Sequence, residues 1–381
     1  MSQDVKNIVN ASNSFSLELY RYLIDAEKNM FFSPISISTA LSMVYTGARE
    51  TTAEEMKSTL GFNLHWRRMP IAFEALLQEF EEIGEKEPAS ILKIANALWL
   101  QKEFSLLENF QYILSTHYKG SLIELDFKKV EEAMEKINQW TNEKTAGKIP
   151  KIFERKEDLE GSELVITNAI YFLGNWKESF KEKDTKDLPF YLISGSEIKV
   201  PMMYQKKRFV LAERPSYQAL MMDYKDQRLA MIFILPRSIG AIAEIEKTIT
   251  VEKIEQIVKN TSANEVEVYI PKFTFSYSTE LSKNLRKMGM VSAFTDEADF
   301  SGITDPKYFK ISKVIHKAFV EVNEKGTEAA AVTAITMRVL GGPLEPPQIP
   351  VFKADHPFIF LMYDKQTEAI MFMGRVMDPS K

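Results

Sequence analysis

Gly326-Thr327-Glu328-Ala329-Ala330-Ala331-Val332-Thr333-Ala334-Ile335-Thr336-Met337-Arg338-Val339-Leu340 is followed at once by Gly341, Gly342, Pro343, Pro346, Pro347 and Pro350. From Thr327 to Leu340 there is neither Gly nor Pro, so this stretch could pair as a strand along its whole length. The proline-rich stretch after Leu340 could not enter the interior of a sheet, because proline lacks the ladder donor. Side chains of a strand alternate between two faces. One face here is Thr327, Ala329, Ala331, Thr333, Ile335 and Met337, uncharged and small at its start. The other is Glu328, Ala330, Val332, Ala334, Thr336 and Arg338, and it carries both charges. That is the pattern of a strand with one face in a core and one in water. The alanines by themselves also suit a helix. The β-branched Val332, Thr333, Ile335, Thr336 and Val339 oppose it. A segment that is first an exposed loop and later a strand reconciles the two.

Around this segment the chain is ordinary in composition. It has 381 residues, of which 45% are hydrophobic and 27% charged, and a net charge of -5. That length gives room for a sizeable core without covalent staples. The charge gives no electrostatic reason to expect nucleic acid or an anionic membrane as partner. There is no cysteine, which excludes disulfides, thiolate catalysis and cysteine zinc sites. No repeat, low-complexity tract or linker divides the chain, so residues 1–381 read as one domain. The stretch Met1 to Ser14 is polar and lacks the apolar run of a signal peptide. The longest apolar runs, such as Leu229 to Leu235, are strand-length and too short to span a bilayer. Two glycosylation triplets, Asn10-Ala11-Ser12 and Asn260-Thr261-Ser262, lean towards secretion.

Helical periodicity dominates the first third. Ser14 to Leu23 is amphipathic, and Ser36 to Tyr45 is almost wholly apolar or small, as in a buried helix. Val130, Met134, Ile137 and Thr141 share one helical face, and that helix should stop near Gly147. Strands dominate later: the continuous apolar run Leu229 to Leu235, the alternating Glu265 to Ile270, and a C-terminal hairpin of Phe358 to Tyr363 and Ala369 to Gly374. Helices followed by many strands argue for an α+β fold.

Four blocks in order then carry a resemblance. They are Asn29-Met30-Phe31-Phe32-Ser33-Pro34-Ile35-Ser36-Ile37-Ser38, Thr167-Asn168-Ala169-Ile170-Tyr171-Phe172-Leu173-Gly174-Asn175-Trp176, Val322 to Ala331, and Phe352-Lys353-Ala354-Asp355-His356-Pro357-Phe358-Ile359-Phe360. Together they resemble the serpin family across nearly the whole chain. The resemblance implies three β-sheets, eight or nine helices and an exposed reactive-centre loop at about residues 326–351. It also implies a suicide mechanism. A serine protease attacks the bait bond, and the freed loop inserts into the central sheet and carries the acyl-enzyme with it.

The family's spacing from Gly326 puts the bait bond at Leu340–Gly341, suited to chymotrypsin-like enzymes. Arg338–Val339, suited to trypsin-like enzymes, is the alternative. The stretch from Leu340 to Pro357 is a few residues longer than the family's usual pattern, and counting back from Pro357 lands nearer Pro343. The resemblance makes Glu324, Gly326, Thr327, Glu328, Ala329, Ala330 and Ala331 the hinge of insertion. It makes Ser33, Ser36, Asn168 and His316 a polar cluster, the shutter, beneath the sheet that opens. Trp176, Lys272 and Glu324 become the breach, where insertion begins.

No G-x-S-x-G, H-E-x-x-H or G-x-G-x-x-G occurs, and the histidines His65, His117, His316 and His356 assemble no triad or metal site. An enzyme, a metal and a cofactor are therefore not expected. The basic clusters Arg67-Arg68 and Lys206-Lys207-Arg208 read as solvated positions, with polyanion binding as an alternative. The expected partner is a serine protease, or alternatively a cysteine protease. The expected state is a monomer that forms loop-linked polymers on heating. A non-inhibitory carrier on the same fold is the competing function. Bulky, charged or proline residues in the hinge would favour the carrier, and the inward face from Thr327 to Ala331 has none. The expected location is extracellular, as a mature secreted chain, with the cytoplasm as alternative.

Overall fold

The computed structural model describes residues 1–25, 27–83, 90–259, 262–304, 309–327 and 349–381. Nine α-helices lie among them: α1 (Gln3–Leu23), α2 (Pro34–Tyr45), α3 (Glu50–Thr59), α4 (Met69–Glu81), α5 (Glu108–Ile113), α6 (Val130–Lys144), α7 (Ile242–Thr248), α8 (Val251–Lys259) and α9 (Ser282–Lys287). The strands are β1 (Met30–Phe32), β2 (Ser90–Gln101), β3 (Ser121–Leu125), β4 (Leu164–Asn175), β5 (Lys186–Tyr191), β6 (Glu197–Glu213), β7 (Tyr217–Asp223) and β8 (Leu229–Pro236), followed by β9 (Ala263–Pro271), β10 (Phe273–Glu280), β11 (Ile311–Val322), β12 (Gly326–Thr327), β13 (Val351–Lys353), β14 (Phe358–Asp364) and β15 (Ala369–Val376).

They form two hydrogen-bonded networks. One runs β10-β11-β4-β2-β3, with β12 attached to β4. The other runs β1-β15-β14-β8-β7-β6-β9-β13, with β5 attached to β6. The three sheets expected from the sequence appear as two networks because β6 is shared. Its residues 197–210 ladder with β5 and β9, and its last four pair with β7.

Local chemistry explains the elements that frame the first sheet. Ser33 caps α2 by accepting from the backbone N–H of Ser36, and Pro34 takes the first turn, where its missing N–H costs nothing. Every residue of α2 is buried, as an all-round apolar or small helix requires. The helix α6 lies on the opposite face of the sheet and seals a second, smaller core. There Ile137 packs with Trp99, Phe127, Phe153 and Val165. With both faces covered, β4 is buried from Leu164 to Phe172, so it reads as a continuous apolar run rather than an alternating one. The chain leaves α6 through Gly147, whose φ of +81° suits a residue without a side chain.

The termini are fastened by a buried ion pair. Arg375 of β15 donates to Glu246 of α7 at 2.9 Å, with side-chain exposures of 2% and 4%. The Tyr20 hydroxyl of α1 donates to the same Glu246 carboxylate at 2.8 Å. Replacing Arg375 with alanine strands a buried carboxylate and is expected to cost about 3–5 kcal/mol. The Arg375→Met, Glu246→Leu double variant should recover part of that loss, read from urea unfolding midpoints. An alanine variant as stable as the parent would show that the pair is not a fastening.

Candidate functional site

The sheet β10-β11-β4-β2-β3 contains a seam. β4 and β11 run parallel, paired from Leu164↔Ile311 to Tyr171↔Phe319, while β2 on one side is antiparallel to β4 and β10 on the other is antiparallel to β11. Parallel pairs are slightly less stable per residue than antiparallel ones. Above Tyr171 the two strands no longer pair. The chain turns at Asn323–Gly326, where the Asn323 side chain accepts from the N–H groups of Lys325 and Gly326. It then returns as β12, antiparallel to β4, with Gly326 opposite Asn175 and Thr327 opposite Gly174.

That turn is held from one side. The Trp176 indole is fully buried and donates to the carbonyl of Asn323 at 3.0 Å. The backbone N–H groups of Trp176 and Phe180 donate to the carbonyls of Lys325 (2.9 Å) and Glu324 (2.8 Å). Trp176 stacks on Tyr224 with centroids 4.7 Å apart, and the Tyr224 hydroxyl lies 3.0 Å from that of Thr327. Burial pushes the Tyr224 phenol far above its ordinary value, so it stays neutral. Lys272 pairs with Glu324 at 2.9 Å, and Thr185 donates to the other carboxylate oxygen at 2.8 Å. Burial pushes the Glu324 carboxyl up, but these hydrogen bonds outweigh it and hold the group below its usual range.

Midway down the seam, His316 of β11 stands directly opposite Asn168 of β4. Its Nδ1 hydrogen-bonds to the Asn168 side-chain oxygen, and its Nε2 accepts from the backbone N–H of Ser33 at 3.3 Å. Each nitrogen has one role, which fits a neutral ring carrying its proton on Nδ1. The Asn168 amide donates to Ser36 and to Asn96 of β2, and the Ser33 hydroxyl donates to the Met371 carbonyl at 2.7 Å. All four expected residues therefore meet at one point, together with Asn96, which sequence reasoning missed. The available signal was a lone amide in the apolar run Ile94-Ala95-Asn96-Ala97-Leu98. Tyr224, Thr185 and Asn323 were also missed.

The structure thus brings Ser33, Ser36, Asn168 and His316 into one cluster, and Trp176, Lys272, Glu324, Gly326 and Thr327 into another. Leu340, Gly341, Arg338, Val339, Glu328, Ala329, Ala330 and Ala331 lie outside the described residues. In the basic clusters, Arg68 pairs with Asp4 at 2.6 Å, Arg67 stacks over Trp66, and Lys207 pairs with Glu178.

Burial alone drops the His316 pKa from 6.5 to about 3. The unfolded chain therefore takes up the proton first as pH falls. The stability of the neutral ring is complete above 6.5 and erodes down to about 3, at up to ~1.4 kcal/mol per pH unit. Unfolding midpoints of the native protein should fall with acid more steeply than those of His316→Gln. Identical slopes would remove this role from the ring.

The family model described as serpin (serine protease inhibitor) matches residues 10–379. An uncharacterized serpin-like protein of Thermococcus kodakarensis is 42% identical over 375 residues, covering 98% of this chain and 86% of that protein. The leukocyte elastase inhibitor of Xenopus laevis is 37% identical over 391 residues, covering 98% of this chain and 100% of its own. Among solved structures, human thyroxine-binding globulin superposes with a TM-score of 0.89 at 29% identity, covering 99% of this chain and 100% of that one.

Proposed function

The chain belongs to the serpin family, and we propose that it inhibits serine proteases by trapping them: the cleaved loop inserts at the β4–β11 seam while the protease is still acylated. The observation that carries this reading is the direction of β12. Gly326 and Thr327 already run antiparallel to β4 at the mouth of a parallel pair. A strand continuing in that direction would be antiparallel to both β4 and β11. It would exchange one parallel ladder for two antiparallel ones.

The energetics are those of a single extra ladder, because the existing β4–β11 bonds are lost as the new ones form. At roughly 0.5–1.5 kcal/mol net per bond, some fourteen inserted residues gain on the order of 7–21 kcal/mol before entropy costs. The uncleaved form is then a kinetic trap rather than the lowest state. Acyl-enzyme hydrolysis fails in the complex because catalytic geometry tolerates little displacement. The sequence of the segment supports insertion. The face beginning with Thr327 is uncharged throughout, and its start, Thr327, Ala329 and Ala331, carries no bulky side chain.

Leu340–Gly341 is the proposed bait bond, with Arg338–Val339 as the alternative, and a family with a relative named as an elastase inhibitor accommodates an apolar bait. The protein is mixed separately with chymotrypsin, subtilisin and trypsin, run on denaturing gels, and the released C-terminal peptide is sequenced. A stable band at the summed mass with a peptide starting at Gly341 is expected; a peptide starting at Val339 moves the bait to Arg338. Ala329→Arg should be cleaved at the same bond yet lose most of the covalent band, because a guanidinium on the inward face must be desolvated. Clean cleavage of the parent with no covalent band for any enzyme sinks the trapping reading in favour of a carrier.

A further inference from the structure

Beside the hinge lies a cavity that the trapping reading does not use. β6 leaves the β9 ladder at Val210, where it also begins to pair with β7, and the segment after Trp176 is bonded to both β6 and β7, the Gln205 amide donating to the Glu178 carbonyl and the Lys177 N–H to the Asp223 carbonyl. The cavity in this fork holds about 310 Å³, at the small end of ligand sites. Its floor is apolar: Phe209, Val210, Met221, Met222 and Ala263. Phe209 and Met222 are buried, while Val210, Met221 and Ala263 are half-buried and reachable from outside.

Two cations stand at its rim. Lys177 donates to the Gln227 side chain at 2.9 Å and stays 3.9 Å from Asp223. Arg208 donates to the Ala263 carbonyl at 2.8 Å and has no carboxylate within ion-pair distance among the described residues. The two rim carboxylates are already engaged, Glu178 by Lys207 and Asp223 by Lys365 at 2.7 Å. Counting Glu265, which faces Arg208 across the ladder, the group of seven side chains still carries a net positive charge. An apolar floor under a cationic rim selects one chemistry.

We propose that this fork is a binding site for a compact amphipathic anion, an apolar body bearing one carboxylate or sulfonate. The anion sits between Lys177 and Arg208, and the apolar body lies on Met221, Val210 and Phe209. The site adjoins the hinge, because Lys177 and Glu178 follow Trp176 directly and Phe180 clamps the carbonyl of Glu324. An occupant braces this arm in its clamped position and therefore stabilises the uncleaved protein.

The test uses the intact protein and no protease, so its outcome is independent of the trapping reading. The protein is titrated with 8-anilinonaphthalene-1-sulfonate by fluorescence at low ionic strength, and decanoate is used as competitor. One saturable site displaced by decanoate is expected. Val210→Trp, which fills the cavity from the half-buried edge of β6, should abolish it. Lys177→Gln with Arg208→Gln should weaken it about tenfold or more, as loss of charge-assisted bonds predicts. Decanoate should raise the thermal midpoint of the parent and leave that of Val210→Trp unmoved. Undiminished binding in both variants, or no saturable binding of either probe to the parent, overturns the proposal.

Discussion

The hydrogen bond between His316 and Asn168 crosses the seam on which the rest of this molecule is organised. It joins two parallel strands at their facing positions, and the backbone N–H of Ser33, the cap of α2, holds the other ring nitrogen. A polar group in such a place is costly unless every member is satisfied. None of Ser33, Ser36, Asn168 and His316 leaves a buried polar side-chain atom unpaired. Apolar packing at the same point would hold over a range of separations, whereas a hydrogen bond is directional and is lost within a small displacement. The cluster therefore makes the closed seam firm, and it would add little adhesion to a seam that had begun to part, as the proposed insertion requires.

The top of the seam is held by different means, and magnitudes rank them. The Lys272 side chain is 38% exposed, so its bond to Glu324 is screened and worth about 1 kcal/mol or less. The Trp176–Tyr224 stack is dry, adds about 0.5–1.5 kcal/mol beyond its burial, and is reinforced by the indole bond to Asn323. The aromatic latch, not the ion pair, is the stronger restraint on the turn. The ion pair instead fixes the direction of Glu324, whose backbone carbonyl receives Phe180.

Local patterns made much of this legible. The apolar, small composition of 36–45 announces a buried helix, the alternation of 265–270 a half-buried strand, and the run 229–235 a strand covered on both faces, and each forms as an element of that kind, the helix beginning two residues earlier at Pro34. Thr327, the first residue of the uncharged face, is 3% exposed. The order of the strands was not legible. β4 and β11 lie more than a hundred residues apart, and nothing in either sequence states that they are neighbours or parallel. Only the resemblance, which puts Asn168 and His316 in one polar cluster, brings the two segments together. Tyr224 and Asn96 were invisible for the same reason: each acts through a partner far away in sequence, and an isolated Tyr or Asn carries no periodic signal.

Two glycines explain why β12 starts where it does. A Cβ on Gly326 would lie 2.0 Å from the carbonyl oxygen of Gly174 and 2.7 Å from the Asn175 Cα, both backbone atoms that cannot swing aside. Its φ of +146° is also rarely adopted by residues with side chains. A Cβ on Gly174 would strike the Phe172 and Tyr224 rings, the latter being the floor of the aromatic latch. Main chain thus abuts main chain at the mouth of the seam, with no side chain between them. This close approach lets Thr327 reach Tyr224 and fixes the register of the first pair. A strand grown from that pair inherits its register, and a one-residue slip would turn the charged face of Glu328 and Arg338 inwards. Under the proposed insertion, the glycine contact would therefore select which face of the segment meets the core.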